Sequence, residues 1–214
     1  MKKLKINPNN PETDLLQQAA SIIINGGVIG YPTETIYGLG ANVMNKRAVE
    51  KVYDMKGRDK NKPILILAEN VEQVKQLTAS FPESARILAK EFWPGPLTIV
   101  FPAAKRLNTL LTSDNRTIGI RITNNKICQE LLKLSGVPIT STSANISGEV
   151  NPISAREVEK TFADKLDLII DGGENKNRIP STVVSVLGDS FDVIREGAIP
   201  KIELLNYYKK IFNG

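Results

Sequence analysis

Five consecutive residues, Ile64-Leu65-Ile66-Leu67-Ala68, carry no polar side chain and lie between Lys62-Pro63 and Glu69-Asn70. Successive side chains of a strand point to opposite faces, so a wholly apolar run needs cover on both sides. That requirement points to an α/β fold in which helices pack on a sheet. The rest of the chain agrees. Asn10-Pro11 predicts a helix start, because asparagine can cap and proline is tolerated in the first turn. Leu15, Leu16, Ala19, Ile22 and Ile23 form its apolar face, and Gly26-Gly27 ends it. Further helices are expected over 45–57, over 125–134 and over 202–212. Two more follow the capping-box spacings Ser80-Phe81-Pro82-Glu83 and Ser154-Ala155-Arg156-Glu157. Strands are expected at 28–31, 97–101, 117–123, 137–140 and 166–170. Two more, at 183–187 and 191–195, flank a Gly188-Asp189 hairpin turn. The reading is one domain over 1–214, a mixed sheet with helices packed on it. At 214 residues and 41% hydrophobic, the chain can bury a core without staples.

Composition removes whole classes of chemistry. Histidine is absent, which excludes His-based triads, HExxH zinc sites and imidazole bases. Cysteine occurs once, so there is no internal disulfide and no CxxC metal framework, in keeping with a reducing cytoplasm. Cys128 stands beside Leu131 and Leu132 and reads as a core residue rather than a nucleophile. Lys2, Lys3 and Lys5 resemble a signal n-region, but the polar stretch 7–14 follows where an apolar one would be needed. No run of about 18 apolar residues suggests a membrane span. The net charge of +5 favours anionic partners such as nucleotides, phosphates or RNA.

Four polar segments interrupt the scaffold at the ends of apolar runs, where open α/β sheets bind ligands. The first, Tyr31-Pro32-Thr33-Glu34-Thr35-Ile36-Tyr37-Gly38-Leu39-Gly40, offers hydroxyls and two glycines that admit close approach. The second places Lys56, Arg58, Lys60 and Lys62 within seven residues, a spacing that suits a polyphosphate, although it lacks GxxxxGK[ST]. The third, Thr140-Ser141-Thr142-Ser143-Ala144-Asn145-Ile146-Ser147-Gly148, gathers small donors. The fourth brings Ser181-Thr182 and Arg195-Glu196-Gly197 together if the hairpin pairs. Each has a plainer alternative: a capped turn, a solvated charge run, a Ser/Thr-rich turn, a surface cross-strand pair. Arg121, inside Ile118-Gly119-Ile120-Arg121-Ile122, is costly unless it is paired or binds an anion; the alternative is an edge strand with the arginine in water.

Taken in order, Pro32-Thr33-Glu34-Thr35-Ile36-Tyr37-Gly38-Leu39, Lys56-Gly57-Arg58, Lys62-Pro63, Ser143-Ala144-Asn145-Ile146-Ser147-Gly148, Ser181-Thr182-Val183-Val184 and Ile194-Arg195-Glu196-Gly197 resemble the YrdC/TsaC family, the threonylcarbamoyl-AMP synthases. The resemblance runs from about Asp14 to Gly197. It implies a twisted open α/β sheet with a large basic cavity. It also implies a reaction in which L-threonine, bicarbonate or CO2, and ATP give threonylcarbamoyl-AMP and pyrophosphate, with Mg2+ accompanying ATP. Lys56, Arg58, Ser143 and Asn145 match the family's Lys-x-Arg and Ser-x-Asn signature and would be catalytic. Arg58, Lys62, Ser143, Asn151 and Arg195 would face ATP, while Thr35, Arg121, Ser141 and Ser181 would face threonine. No dedicated metal ligands are expected. Implied partners are the proteins that transfer the threonylcarbamoyl group to tRNA, with tRNA itself a further candidate, in the cytoplasm and without a membrane. Many relatives carry histidine where this chain has Leu67, which places one substrate contact in question. The chain resembles the short type without an added C-terminal domain. Two other functions remain as alternatives: a non-catalytic RNA-binding module, motivated by the charge, and a carbamoyl-adenylate enzyme of the hydrogenase-maturation kind. One cysteine argues against the latter, whose members carry cysteine-rich zinc modules.

Overall fold

The structure, a computed structural model, describes residues 1–176, 178–187 and 191–212. In chain order the elements are β1 (Lys2–Lys5), α1 (Thr13–Ile24), β2 (Ile29–Tyr31), β3 (Gly38–Gly40), α2 (Lys46–Lys56), β4 (Ile66–Leu67), α3 (Val71–Leu77), α4 (Glu83–Phe92), β5 (Leu97–Pro102), β6 (Thr117–Arg121), α5 (Lys126–Ser135), β7 (Ile139–Thr140), β8 (Thr142–Ser143), α6 (Ala155–Phe162), β9 (Leu168–Asp171), β10 (Thr182–Ser185), β11 (Asp192–Arg195) and α7 (Lys201–Phe212). The mixed α/β class is as expected, with the strands divided between two sheets. One has the order β1-β9-β2-β3-β8 and the other β11-β10-β5-β6-β4-β7. Both contain parallel and antiparallel pairs.

The apolar run 64–68 behaves as its composition requires, although only Ile66 and Leu67 pair as a strand. Ile64, Ile66, Leu67 and Ala68 are all buried. β4 lies between β6 and β7, parallel to the first and antiparallel to the second. β7 belongs to one sheet and β8 to the other, so the chain crosses between sheets at the single residue Ser141. Its N–H donates to the Leu65 carbonyl at 2.6 Å, which ties the crossing to the end of β4.

Three strands escape a reading based on hydrophobic pattern. β1 is an edge strand parallel to β9; Leu4 is buried, while the exposed lysines suit an edge that must not recruit another strand. β3 is Gly-Leu-Gly, and the Tyr31 ring lies across it. A Cβ on Gly40 would come within 2.9 Å of that ring, so glycine is what the ring permits there, while Leu39 packs into the core. β8 is made of hydroxyl residues that pair with β3.

Helix boundaries follow their caps. Asn45 accepts the Ala48 N–H at 3.2 Å and opens α2, and Gly57 closes it in the left-handed region at φ 56°. The expected start at Ser154 forms, with Ser154 accepting the Glu157 N–H as cap, while the Glu157 carboxylate takes the N–H of Ile153, one residue before the cap, rather than that of Ser154. Two expected starts do not form. α1 begins at Thr13, with Glu12 rather than Asn10 at the capping position, and α4 begins after Pro82, so Ser80 caps nothing. The Gly188-Asp189 turn lies outside the described residues; the strands beside it pair antiparallel, from Val183 with Arg195 to Ser185 with Asp192, across a bulge.

Two apolar clusters hold the layers. In the smaller, Leu16, Ala19 and Ile23 of α1 meet Ile127, Leu131 and Leu132 of α5 over Ile29, Tyr31 and Leu168. In the larger, α2 and α4 pack with β5 and β6, and α7 closes against α4 through the edge-on contact of Phe92 with Tyr207 at 5.5 Å. Asn45→Ala should lower the unfolding free energy by about 1 kcal/mol in urea denaturation, through the lost cap. Asn10→Ala should leave the midpoint in place, since no side-chain bond of Asn10 caps α1; an equal loss in both variants would refute this assignment of caps.

Candidate active site

The crossing at Ser141 opens a cleft between the ends of the two sheets. Its volume is about 300 Å3, and a second cleft of about 400 Å3 adjoins it through Arg58, Ser143 and Asn151, which line both. Both volumes fall within the range of small-molecule sites. Thr35, Arg121, Ser141, Ser181 and Arg195 line the first cleft as well. Lys56, Lys62 and Asn145 line the second. All eleven residues singled out from the sequence therefore meet in one continuous depression. Lys60, the remaining cation of the loop, is exposed and lines neither cleft.

Local chemistry shapes each wall. The Thr33 hydroxyl donates to the Ile36 carbonyl at 2.7 Å and accepts from the Thr35 N–H at 3.1 Å, a side-chain turn that presents Thr35 to the cleft. Arg121 ends β6, an interior strand, so an edge arginine in water is excluded. Its side chain is only 5% exposed and pairs with Glu34 at 2.8 Å. The guanidinium also donates to Thr35 at 3.2 Å and to Ser141 at 3.3 Å. Of its five N–H groups, one on Nη2 and the one on Nε have no partner among the described residues, and these are what it can offer a ligand.

Lys56 follows Val49, Val52 and Tyr53 on the inward face of α2 and is buried. Its ammonium donates to the carbonyls of Ser143 and Asn145 and, at 3.1 Å, to Asn145 Oδ1. Asn145 Oδ1 also accepts from the Ser143 hydroxyl at 2.6 Å. Burial, and then the Arg58 charge, push the amine down to about 7. Three oxygens around it act the other way, and they decide for the ammonium, because a neutral amine would turn a lone pair toward one of them. The sequence placed Lys56 among groups touching a ligand; the structure makes it the tie between the basic loop and the Ser-x-Asn segment.

Arg58 folds over its own loop, donating to the carbonyls of Lys62 at 2.9 Å and Pro63 at 3.1 Å. Arg195 donates to the Ser181 carbonyl at 2.8 Å and the Gly197 N–H to the Thr182 hydroxyl at 2.9 Å, so the expected meeting of Ser181-Thr182 with Arg195-Glu196-Gly197 does occur. Partial burial, then the charges of Arg121 and Arg58, lower the affinity of Arg195 for its proton. Asn151 is held by Arg178, which donates to its carbonyl at 2.6 Å and grips Glu157 with both nitrogens. Leu67 is fully buried against the α1–α5 core and absent from the cleft lining, so position 67 offers no ligand contact here. Cys128 is buried, donates to the Pro32 carbonyl at 3.0 Å and is pushed up by burial, which fits a core thiol. Among the described residues no group of three or more acidic or cysteine side chains could hold a metal ion.

The sequence reading gave no role to Glu34, nor to Thr123, whose hydroxyl donates to the other Glu34 oxygen. The signal for Glu34 was indirect: a charge on an apolar strand demands a partner. Lys56→Met should remove about 2 kcal/mol or more of stability, because the buried Asn145 carbonyl and the part-buried Ser143 carbonyl lose their donor. Urea denaturation checks this, and an unchanged midpoint would contradict it.

The domain family Sua5/YciO/YrdC, described as telomere recombination, matches residues 21–197. A threonylcarbamoyl-AMP synthase of Pyrococcus abyssi is 39% identical over 186 residues, covering 87% of this chain and 55% of the relative. One of Bacillus subtilis is 35% identical over 201 residues, covering 94% of this chain and 57% of the relative. The chain thus spans little more than half the length of these curated relatives. A crystal structure of P. abyssi Sua5 complexed with L-threonine superposes with a TM-score of 0.93 at 36% identity, over 97% of this chain and 61% of that one. With a match that takes in residues 21–197 of its 214, the chain belongs to the Sua5/YciO/YrdC family.

Proposed function

We propose that this protein is an L-threonylcarbamoyladenylate synthase, forming threonylcarbamoyl-AMP and pyrophosphate from L-threonine, bicarbonate or CO2, and ATP. The observation that carries the reading is the division of the depression. Arg58 and Lys62 stand at one end, and Arg121, Thr35 and Ser141 form a compact hydrogen-bonded group at the other, with Arg195 lining the first cleft beside Ser181; among the described residues Arg58, Lys62 and Arg195 have no ion-pair partner. The names of the two relatives and the threonine bound to P. abyssi Sua5 support the same reading.

In this scheme the free N–H groups of Arg121 take the threonine carboxylate, with Thr35, Ser141 and Ser181 fixing its orientation. The threonine ammonium loses a proton to solvent, and the amine then adds to CO2, forming the N–C bond of a carbamate and releasing a second proton. A carbamate oxygen then attacks the α-phosphorus of ATP, and the bond to the β-phosphate oxygen breaks as pyrophosphate leaves. Arg58, Lys62 and Arg195 bear the phosphate charge, with Ser143 and Asn151 beside them. Lys56 and Asn145 act by holding Ser143 in place. Such a step depends on positioning and charge rather than on a titrating base, which suits a chain without histidine. Mg2+ would arrive on the ATP phosphates, since the described residues build no cage for it.

Among the described residues no helix is long and apolar enough to cross a membrane. We place the protein in the cytoplasm, handing its product to proteins that modify tRNA.

Pyrophosphate release should require ATP, L-threonine and bicarbonate together; release indifferent to threonine would remove the substrate assignment. Arg58→Ala should lower kcat by about 100-fold or more, the scale of losing one group that stabilises developing charge. Arg121→Ala should chiefly raise the KM for threonine, about 10-fold or more for the loss of a charge-assisted hydrogen bond. Steady-state kinetics separates these outcomes, and an unchanged threonine KM would argue against the carboxylate contact.

A further inference from the structure

Arg58, Arg121 and Arg195 line one cleft, and Arg195 registers the charges of the other two. A narrow cleft of one sign concentrates anions throughout its length. Nothing in three bare guanidiniums would tell a polyphosphate which end to take. Glu34 breaks that symmetry. Its carboxylate meets Arg121 at 2.8 Å, with side-chain exposures of 13% and 5%, and it lies outside the cleft lining that Arg121 joins. Among the described residues neither Arg58 nor Arg195 has a carboxylate within ion-pair distance. The Thr123 hydroxyl holds the second Glu34 oxygen, and Thr123 in turn accepts the Asn125 N–H at 3.1 Å at the start of α5, so the carboxylate is anchored from both sides.

The electrostatic consequence is direct. A phosphate approaching Arg121 also meets the Glu34 charge paired with it, in a poorly solvated place where like charges interact strongly. An amino-acid zwitterion carries no net charge and escapes most of that penalty, while its carboxylate can still reach the remaining N–H groups of Arg121. We propose that Glu34 is the positioning residue that sets the polarity of the cleft: by neutralising Arg121 it bars polyphosphate from that end and reserves it for the amino acid. The idea rests on the two-ended reading of the site given above, and it assigns specificity to a side chain that touches neither substrate.

The test uses inorganic pyrophosphate as the probe, titrated calorimetrically at low ionic strength into the full chain, so that its outcome does not depend on threonine turnover. Wild type should bind one pyrophosphate. Glu34→Gln, which keeps the shape and removes the charge, should acquire a second, salt-sensitive site, and Glu34→Asp should not. The double variant Glu34→Gln/Arg121→Gln should return to one site with wild-type affinity. In turnover, pyrophosphate should compete with ATP alone in wild type and with L-threonine as well in Glu34→Gln. A single site in folded Glu34→Gln would overturn the proposal, as would a second site in Glu34→Asp. If Glu34→Gln does not fold, the neutral double variant still decides: a tenfold loss of pyrophosphate affinity would mean that Arg121 already serves phosphate in wild type. Failure of threonine-dependent turnover, by contrast, would remove the proposed reaction and leave the calorimetric result standing.

Discussion

A guanidinium buried at the end of an interior strand keeps its charge and is costly unless it is paired, and breaking such a pair typically costs about 3–5 kcal/mol. Arg121 meets that demand by reaching out of its own sheet. Its partners Glu34 and Thr35 sit on the loop that leaves β2 in the other sheet, and Ser141 is the residue at which the chain changes sheets. One side chain therefore holds together the strand end, the Thr-Glu-Thr loop and the crossing, and the cleft is the space these three leave between them. The requirement for electrostatic pairing and the formation of a binding site are here the same event.

A second buried cation performs the matching task at the other end. Lys56 ties the last turn of α2 to the carbonyls of Ser143 and Asn145. The helix stops immediately afterwards at Gly57, so the chain can turn out and carry Arg58 and Lys62 to the mouth. The basic loop thus separates by depth. Lys56 goes inward as a strut, Arg58 and Lys62 reach the clefts, and Lys60 is left in solvent. Charge density along the sequence could not make that distinction, because it depends on the buried face of α2 for Lys56 and on the path of the loop after Gly57 for the other three.

Local rules read much of this fold and failed where the deciding contacts are distant. α2 was legible at both ends, since Asn45 and Gly57 act on their own helix. Asn10 and Ser80 have the right composition and cap nothing, because capping needs a backbone geometry that composition does not guarantee. β1, β3 and β8 have two to four residues each and take their order from partners elsewhere in the chain; Gly-Leu-Gly becomes a strand by pairing with β2 and β8, and its glycines leave room for the Tyr31 ring. For the site, the ordered motifs identified residues that do converge. Their depth was missed for Lys56, although its spacing from Val52 and Tyr53 already placed it on the buried face. Glu34 could be suspected only from the need of Arg121, a need met across two sheets. Leu67 is the other case: Leu65 and Ile66 line the cleft while Leu67 turns into the α1–α5 core, a placement set by packing against distant helices.

The central claim is that one depression has a phosphate end and an amino-acid end, separated by the pairing of Arg121. A crystal structure with L-threonine and a non-hydrolysable ATP analogue bound together tests it most directly. The account predicts the threonine carboxylate within hydrogen-bonding distance of Arg121, with the Glu34 pair intact, and the phosphates among Arg58, Lys62 and Arg195. Phosphate oxygens on Arg121, or threonine outside the cleft, would contradict it.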